Sequence, residues 1–325
     1  EKFPNKKVTE VNGGVGGTPS NLGLFRVDKD IASKNPDVVF VEFAVNDAGR
    51  QESDIMQNME GIVRQLARLP KQPVVISAED GIQLHGWLFD PDCAGAKPHL
   101  YAICCHGYSG QPQDMAKYAH RFARLGFTVL VPALRGHGLS EGRYAGMGWL
   151  DRRDLMRWIS LIIDSDADAR ILLQGKSMGA AAVMMTVGEP DLPRNVVAAV
   201  EDCGYASVGQ QFIDCARSMF HLPKFLAKPI VTTMGAIARR RAGYGFQEAS
   251  CVEQLKHATI PMLFIHGGAD DFVPSRALDE NFDACASIDR QKLLIPSAGH
   301  SMSASTAPVV YWKTVTNFVT RVFGL

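Results

Sequence analysis

No apolar run in this chain comes near the roughly 20 residues that a membrane-crossing helix requires. The longest, such as VVFVEFAV and FTVLVPAL, stop far short. Net charge is missing too: 34 Lys and Arg stand against 34 Asp and Glu, with a pI near 7.3. A neutral chain sets up no global field for nucleic acid or anionic lipid, so no nucleic-acid partner and no integral membrane segment are expected. The run Arg239, Arg240, Arg241 reads as a solvated face, not as a membrane or phosphate site.

The seven cysteines (93, 104, 105, 203, 215, 251, 285) include no C-x-x-C pair, which removes zinc ribbons and dithiol redox motifs. Most sit in apolar runs such as YAICC and read as small buried hydrophobes of a reducing, cytoplasmic compartment. The chain opens at Glu1 without a methionine or an apolar signal region, so an upstream export signal is not legible. No His, Cys or Asp cluster has ligand spacing, so no metal and no cofactor are expected. There is no fixed-period repeat, no low-complexity tract and no Gly/Ser linker.

What is present is an α/β rhythm over 325 residues that are 46% hydrophobic, enough for a large core. VVFVEF, the helical DIMQNMEGIVRQLARL and PVVI are followed by LYAICC, DMAKYAHRFARLG and FTVLVPA, the mark of parallel strands joined by helices. The rhythm changes near Pro73–Ser77, where Asp80-Gly81 reads as a hairpin turn and PDCAGAKP as a loop. The expected division is residues 1–74 and 75–325. From about 206 to 257 the strand pattern stops, and QQFIDCARSMFHLPKFLAKPIVTTMGAIARRRAGYGF reads as helices broken at Pro223 and Pro229. Its Met, Phe and Leu residues either pack on one another or line an acyl pocket.

One short stretch, LLQGKSMGAA, has two readings. Gly175-Lys176-Ser177 is the tail of a phosphate-binding loop, but the glycine needed five residues earlier is Arg170, inside the apolar ARILLQ. No glycine lies between Gly148 and Gly175 to form a cradle. The other reading is G-x-S-x-G at 175–179, with strand RILLQ before it and helix AAAVMMTV after it. That is the sharp turn that presents a nucleophilic serine, Ser177. A serine hydroxyl needs a histidine to accept its proton and a carboxylate to hold that histidine's tautomer. Downstream, IPMLFIHGGADDFVP is a strand and a loop with Asp270 and Asp271; QKLLIPSAGHSMS is a strand and a loop with His300. Asp202, after an earlier strand, is a more remote carboxylate. The oxyanion requires two N–H donors, one expected from the residue after the nucleophile, Met178.

With HGYSG at 106–110, RGHGLSEG at 135–142, GKSMG at 175–179, HGGADDFVP at 266–274 and AGH at 298–300, residues 76–325 resemble the α/β-hydrolase fold enzymes. The likeness is to the bacterial branch related to carboxylesterases and lysophospholipases. The resemblance implies a mostly parallel sheet with a helical cap at about 206–257. It implies a Ser177, His300, Asp270 triad with Asp271 as the adjacent alternative, an oxyanion hole from the N–H groups of Tyr108 and Met178, and structural roles for His106 and His137. The implied activity is hydrolysis of a small-molecule carboxylic ester through an acyl-enzyme. Lysophospholipase, thioesterase, amidase or peptidase activity, and a non-catalytic ligand-binding role, remain open.

Residues 8–75 resemble the middle of an SGNH (GDSL-type) hydrolase, as an incomplete flavodoxin-like βαβαβ fragment. In that likeness Gly17 and Asn46 donate to an oxyanion, with Ala44 where the block normally has glycine. That family's Gly-Asp-Ser nucleophile block would precede residue 1, and no Asp-x-x-His block occurs. The segment is therefore not expected to turn over a substrate.

Overall fold

The computed structural model describes residues 74–93 and 97–325. The SGNH-like reading of 8–75, with Gly17, Ala44 and Asn46, falls on 1–73 apart from its last two residues and lies outside the described residues.

Among the described residues, eight strands form one sheet: β1 (Val74–Ser77), β2 (Gln83–Phe89), β3 (Leu100–Cys105), β4 (Thr128–Pro132), β5 (Arg170–Lys176), β6 (Val196–Asp202), β7 (Met262–Gly267) and β8 (Arg290–Ile295). Their order is β1-β2-β4-β3-β5-β6-β7-β8. From β4 to β8 every pairing is parallel, while β1 and β2 are antiparallel. The hairpin at Asp80-Gly81 forms, with Gly81 at φ 85° and Ser77 paired to Gln83. PVVI differs from its sequence reading. Its described residues, Val74–Ile76, belong to a strand antiparallel to β2, at the edge of the sheet among the described residues, because the short turn at 78–82 leaves no length for a crossover.

The helices are α1 (Ala116–Arg124), α2 (Asp151–Ser165), α3 (Met178–Val187), α4 (Val208–Phe220), α5 (Lys224–Ala242), α6 (Cys251–Leu255), α7 (Arg276–Ala284), α8 (Ser303–Thr306) and α9 (Pro308–Phe323). Every residue of α3 is buried, which explains why MGAAAVMMTV has no polar face. One face of the sheet packs on α2 and α3, with Trp158, Leu173, Met184 and Phe264 in the core. The other face packs on α1 and α9. There α9 presents Tyr311, Val315, Phe318, Val319 and Phe323 at helical spacing. No helix among the described residues is long and apolar enough to cross a membrane.

Between β6 and β7 lie α4, α5 and α6. The chain breaks at Pro223 as expected, but α5 runs straight through Pro229. The hydrogen bond that Pro229 forgoes would end on the carbonyl of Phe225, in the first turn of α5.

Arg135 of the RGHG loop is buried and clamps two elements. Its Nε and Nη2 donate to Asp154 of α2 at 2.7 and 2.6 Å, and its Nη1 donates to Asp80 at 2.8 Å. Arg135→Met should cost about 3–5 kcal/mol, because Asp154 is left as an uncompensated buried charge. Urea denaturation checks this. Adding Asp154→Leu should recover much of the loss, and simple additivity would refute the pairing.

Asp151, fully buried at the start of α2, accepts the Gly148 N–H at 2.8 Å. Burial and the nearby Asp154 charge push its carboxyl up to about 7. The unfolded chain, with its carboxyl near 3.9, therefore binds fewer protons than the native state between about pH 4 and 7, so this group makes stability fall as pH rises. Asp151→Asn should gain about 1–3 kcal/mol relative to the parent between pH 5 and pH 8, read from denaturation midpoints. Parallel pH curves would exclude it.

Candidate active site

The turn between β5 and α3 is as tight as its glycines imply. Ser177 sits at φ 55°, ψ −119°, a backbone region costly for a side-chain-bearing residue. Its N–H donates to the Asp202 carbonyl at 2.8 Å, which ties the turn to the end of β6. A Cβ on Gly175 would lie 2.3 Å from the Gly179 carbonyl oxygen, and one on Gly179 would lie 2.3 Å from that of Cys105. Only glycine fits either position.

Three strand ends converge on the serine. Ser177 Oγ lies 2.8 Å from His300 Nε2, and His300 Nδ1 lies 2.8 Å from Asp270 Oδ2. The other Asp270 oxygen accepts the N–H groups of Phe272 and Val273 at 3.0 and 2.8 Å. Burial alone would raise the Asp270 carboxyl, but hydrogen bonds from His266, His300 and the backbone hold it well below the usual carboxylate range. The Phe272 ring lies 5.0 Å from that of His300.

Neither other carboxylate bonds to His300. Asp271 is exposed. Asp202 is buried and accepts the hydroxyls of Tyr311 and Tyr118 at 2.9 and 3.4 Å, so it joins α9 and α1 to the sheet.

His106 is buried, with Nδ1 2.8 Å from the Gly107 carbonyl and Nε2 accepting the Leu134 N–H at 3.1 Å. Burial lowers its pKa to about 4, so it stays neutral and fastens one loop to the next. His137 meets it edge-on at 5.1 Å and turns Nδ1 to the Arg135 carbonyl. The loop after β3 lies against the serine: a Cβ on Gly107 would be 3.2 Å from Ser177 Cβ and 3.7 Å from its Oγ. Tyr108 is the next residue along that loop. Met178 opens α3, where its N–H has no partner within the helix. The Tyr108 phenol is exposed and meets His137 edge-on.

Sequence reading missed two residues. His266, at the end of β7, lies 3.4 Å from Asp270 Oδ2 and places its Nε2 3.0 Å from the Val273 carbonyl, behind the carboxylate. Its spacing of four from Asp270 in HGGAD was the available signal. Cys203 was the other: its Sγ joins Asp270 and His300 in a group whose ligand-capable atoms all lie within 4.8 Å of one another. Nothing in its spacing marks it, because fold contacts alone bring it there. Burial pushes its thiol pKa well up, and a protonated thiol is a poor metal ligand. Both His300 nitrogens already have partners.

Residues 96–236 match the family described as serine aminopeptidase, S33. The chain is 25% identical over 271 residues to the uncharacterized Bacillus subtilis protein YqkD, covering 83% of this chain and 85% of that one. It is 29% identical over 230 residues to the uncharacterized Mycobacterium tuberculosis protein Rv2307c, covering 70% and 72%. Among solved structures, the Pyrococcus furiosus esterase Pf2001 superposes with a TM-score of 0.62 at 20% identity, covering 78% of this chain and 93% of that one. Mouse alpha/beta hydrolase domain-containing protein 10 superposes with a TM-score of 0.54 at 18% identity, covering 77% and 99%.

The fold is that of the α/β hydrolases. Within an α/β-hydrolase fold, α4 to α6 occupy the crossover between β6 and β7, at the carboxyl end of the sheet. A half-open groove of about 450 Å³ lies within this helical group, lined among others by Gln210, Ile213, Lys228, Val231 and Phe246. Phe212 and Phe246 stack at 4.8 Å. Met219, Phe220, Phe225 and Met234 face solvent instead of a pocket, which corrects the sequence reading of them as pocket-lining or mutually packed.

Proposed function

We propose that this protein is a serine hydrolase cleaving carboxylic esters through an acyl-enzyme. The observation that supports the reading best is the unbroken relay of two 2.8 Å contacts from Ser177 Oγ through His300 to Asp270. In the first half-reaction Oγ attacks the ester carbonyl while His300 Nε2 takes its proton. Asp270 accepts from Nδ1–H and so fixes the tautomer in which Nε2 is free to act as base. The carbonyl oxygen becomes an oxyanion held by the N–H groups of Met178 and Tyr108. Collapse breaks the bond to the alcohol, which leaves with the proton from His300. Water then repeats the sequence: His300 takes its proton, the acyl bond to Ser177 breaks, and the carboxylic acid departs.

Nitrophenyl esters of increasing acyl length, with an amide control, test the proposal. Multiple turnover on the esters is expected, and a single slow turnover would instead indicate a binding protein. The match to a family described as serine aminopeptidases favours one second reading, a peptidase using the same triad. Amide turnover exceeding ester turnover would select it.

The helical group at 206–257 serves in this reading as the cap that selects the acyl chain. Filling its groove by Ile213→Trp should lower turnover of long acyl esters about tenfold or more while sparing the acetyl ester, since each methylene-sized change is worth about 1–3 kcal/mol. An unchanged acyl profile would take the groove off the substrate path.

A further inference from the structure

Helix α5 carries two apolar seams and the fold uses one. Ala227, Val231 and Gly235 recur every four residues and are buried. Gly235 packs so closely that a Cβ on it would touch Phe246 at 3.4 Å. Beside that seam run Leu226, Ile230, Met234 and Ile237, all exposed. Steps of four, four and three residues place these four within one narrow arc of the helix. At the tip of the α4–α5 hairpin the surface continues with Met219, Phe220 at 69% exposure and Phe225 at 75%. A contiguous apolar surface of this kind is uncommon on a chain that has no use for it.

Charge is segregated on the same hairpin. The whole chain is neutral, yet between Asp214 and Glu248 there is no Asp or Glu, while Arg217, Lys224, Lys228, Arg239, Arg240 and Arg241 all fall there. All six are exposed. Of these, Arg239 is paired with Glu248. Arg239, Arg240 and Arg241 are exposed, as the solvated-face reading expects; the bulk charge balance hides the local excess, and the exposed apolar seam appears only once the helix is packed.

We propose that the α4–α5 hairpin docks on an anionic lipid surface, with Phe220, Phe225 and the Leu226–Ile237 seam entering the interface and the cations meeting the headgroups. Apolar side chains flanked by Lys and Arg suit such an interface, where the two contributions add. A second copy of the chain fits less well, since a symmetric contact would bring two cationic faces together. Docking also orients the site. Helix α4 is fastened to the Asp270 loop by Gln211 donating to the Phe272 carbonyl at 2.8 Å, and to the start of α7 by the Arg276–Asp214 ion pair. A bilayer gripped by the hairpin therefore lies at the end of the sheet that holds Ser177.

Docking does not depend on turnover, so full-chain Ser177→Ala protein is the reagent. It is cosedimented with phosphatidylcholine vesicles that contain or lack phosphatidylglycerol. Retention at least tenfold greater on the anionic vesicles is expected, falling as salt rises. Replacing Arg239, Arg240 and Arg241 together by Gln should weaken retention about fivefold per cation removed. Ile230→Asp with Met234→Asp should abolish it, at an unchanged melting temperature that reports an intact fold. Equal retention on both vesicle types, no retention on either, or retention indifferent to the aspartates would overturn the proposal. So would self-association that Ile230→Asp with Met234→Asp dissolves, which would assign the face to a second copy.

Discussion

Replacing Ser177 by alanine is expected to lower ester turnover about 10⁶-fold and to abolish labelling by a fluorophosphonate probe. The expectation rests on how completely the elbow isolates this one hydroxyl. Ser177 holds a strained backbone at φ 55°, fixed by its N–H to the Asp202 carbonyl and by two glycines that no other residue can replace. Alanine keeps the turn and removes only the oxygen 2.8 Å from His300. The fold should therefore survive, and a melting temperature close to the parent's would separate lost chemistry from lost structure. Covalent labelling at any other serine, read by peptide mass, would sink the assignment.

Asp270→Asn is expected to cost about 10⁴-fold in turnover, and Asp271→Asn far less. The difference follows from the partners. One Asp270 oxygen takes two backbone N–H groups, and the other takes His300 and His266. With one oxygen still facing the backbone donors, an asparagine turns its amide N–H₂ toward His300. That favours the tautomer with the proton on Nε2, so His300 would present a donor to Ser177 where a base is required. Asp271 is exposed and has no bond to His300. Comparable losses in kcat/KM for the two variants would leave the acid unassigned.

Much of the site could be read from the sequence because its demands are local. RILLQ, GKSMG and AAAVMM announce strand, elbow and buried helix within a few residues, since steric closeness at an elbow leaves glycine and alanine little competition. Asp270 and His300 follow strands whose apolar runs are equally plain. What stayed hidden depends on contacts between distant parts of the chain. The direction of β1 hangs on a hydrogen-bonded ladder with β2, and β-branched residues suit either direction. Pro229 looks like a helix end, yet α5 continues through it at the loss of a single hydrogen bond near its first turn. His266 and Cys203 matter only through what the fold sets beside them. For α5, periodicity announces an apolar helix without saying which of two adjacent seams is buried.

The relay from Ser177 to His300 spans 123 positions of chain. At a synthesis rate of about 5–20 residues per second, the ribosome makes Ser177 roughly 6–25 seconds before His300. Tyr311, whose hydroxyl braces the aspartate that holds the serine's peptide, arrives later still. A nascent chain that has just made the elbow therefore still lacks His300 and Tyr311. On the proposed reading the relay is complete only once the loop after β8 is made, so the order of synthesis leaves a half-made molecule without its base.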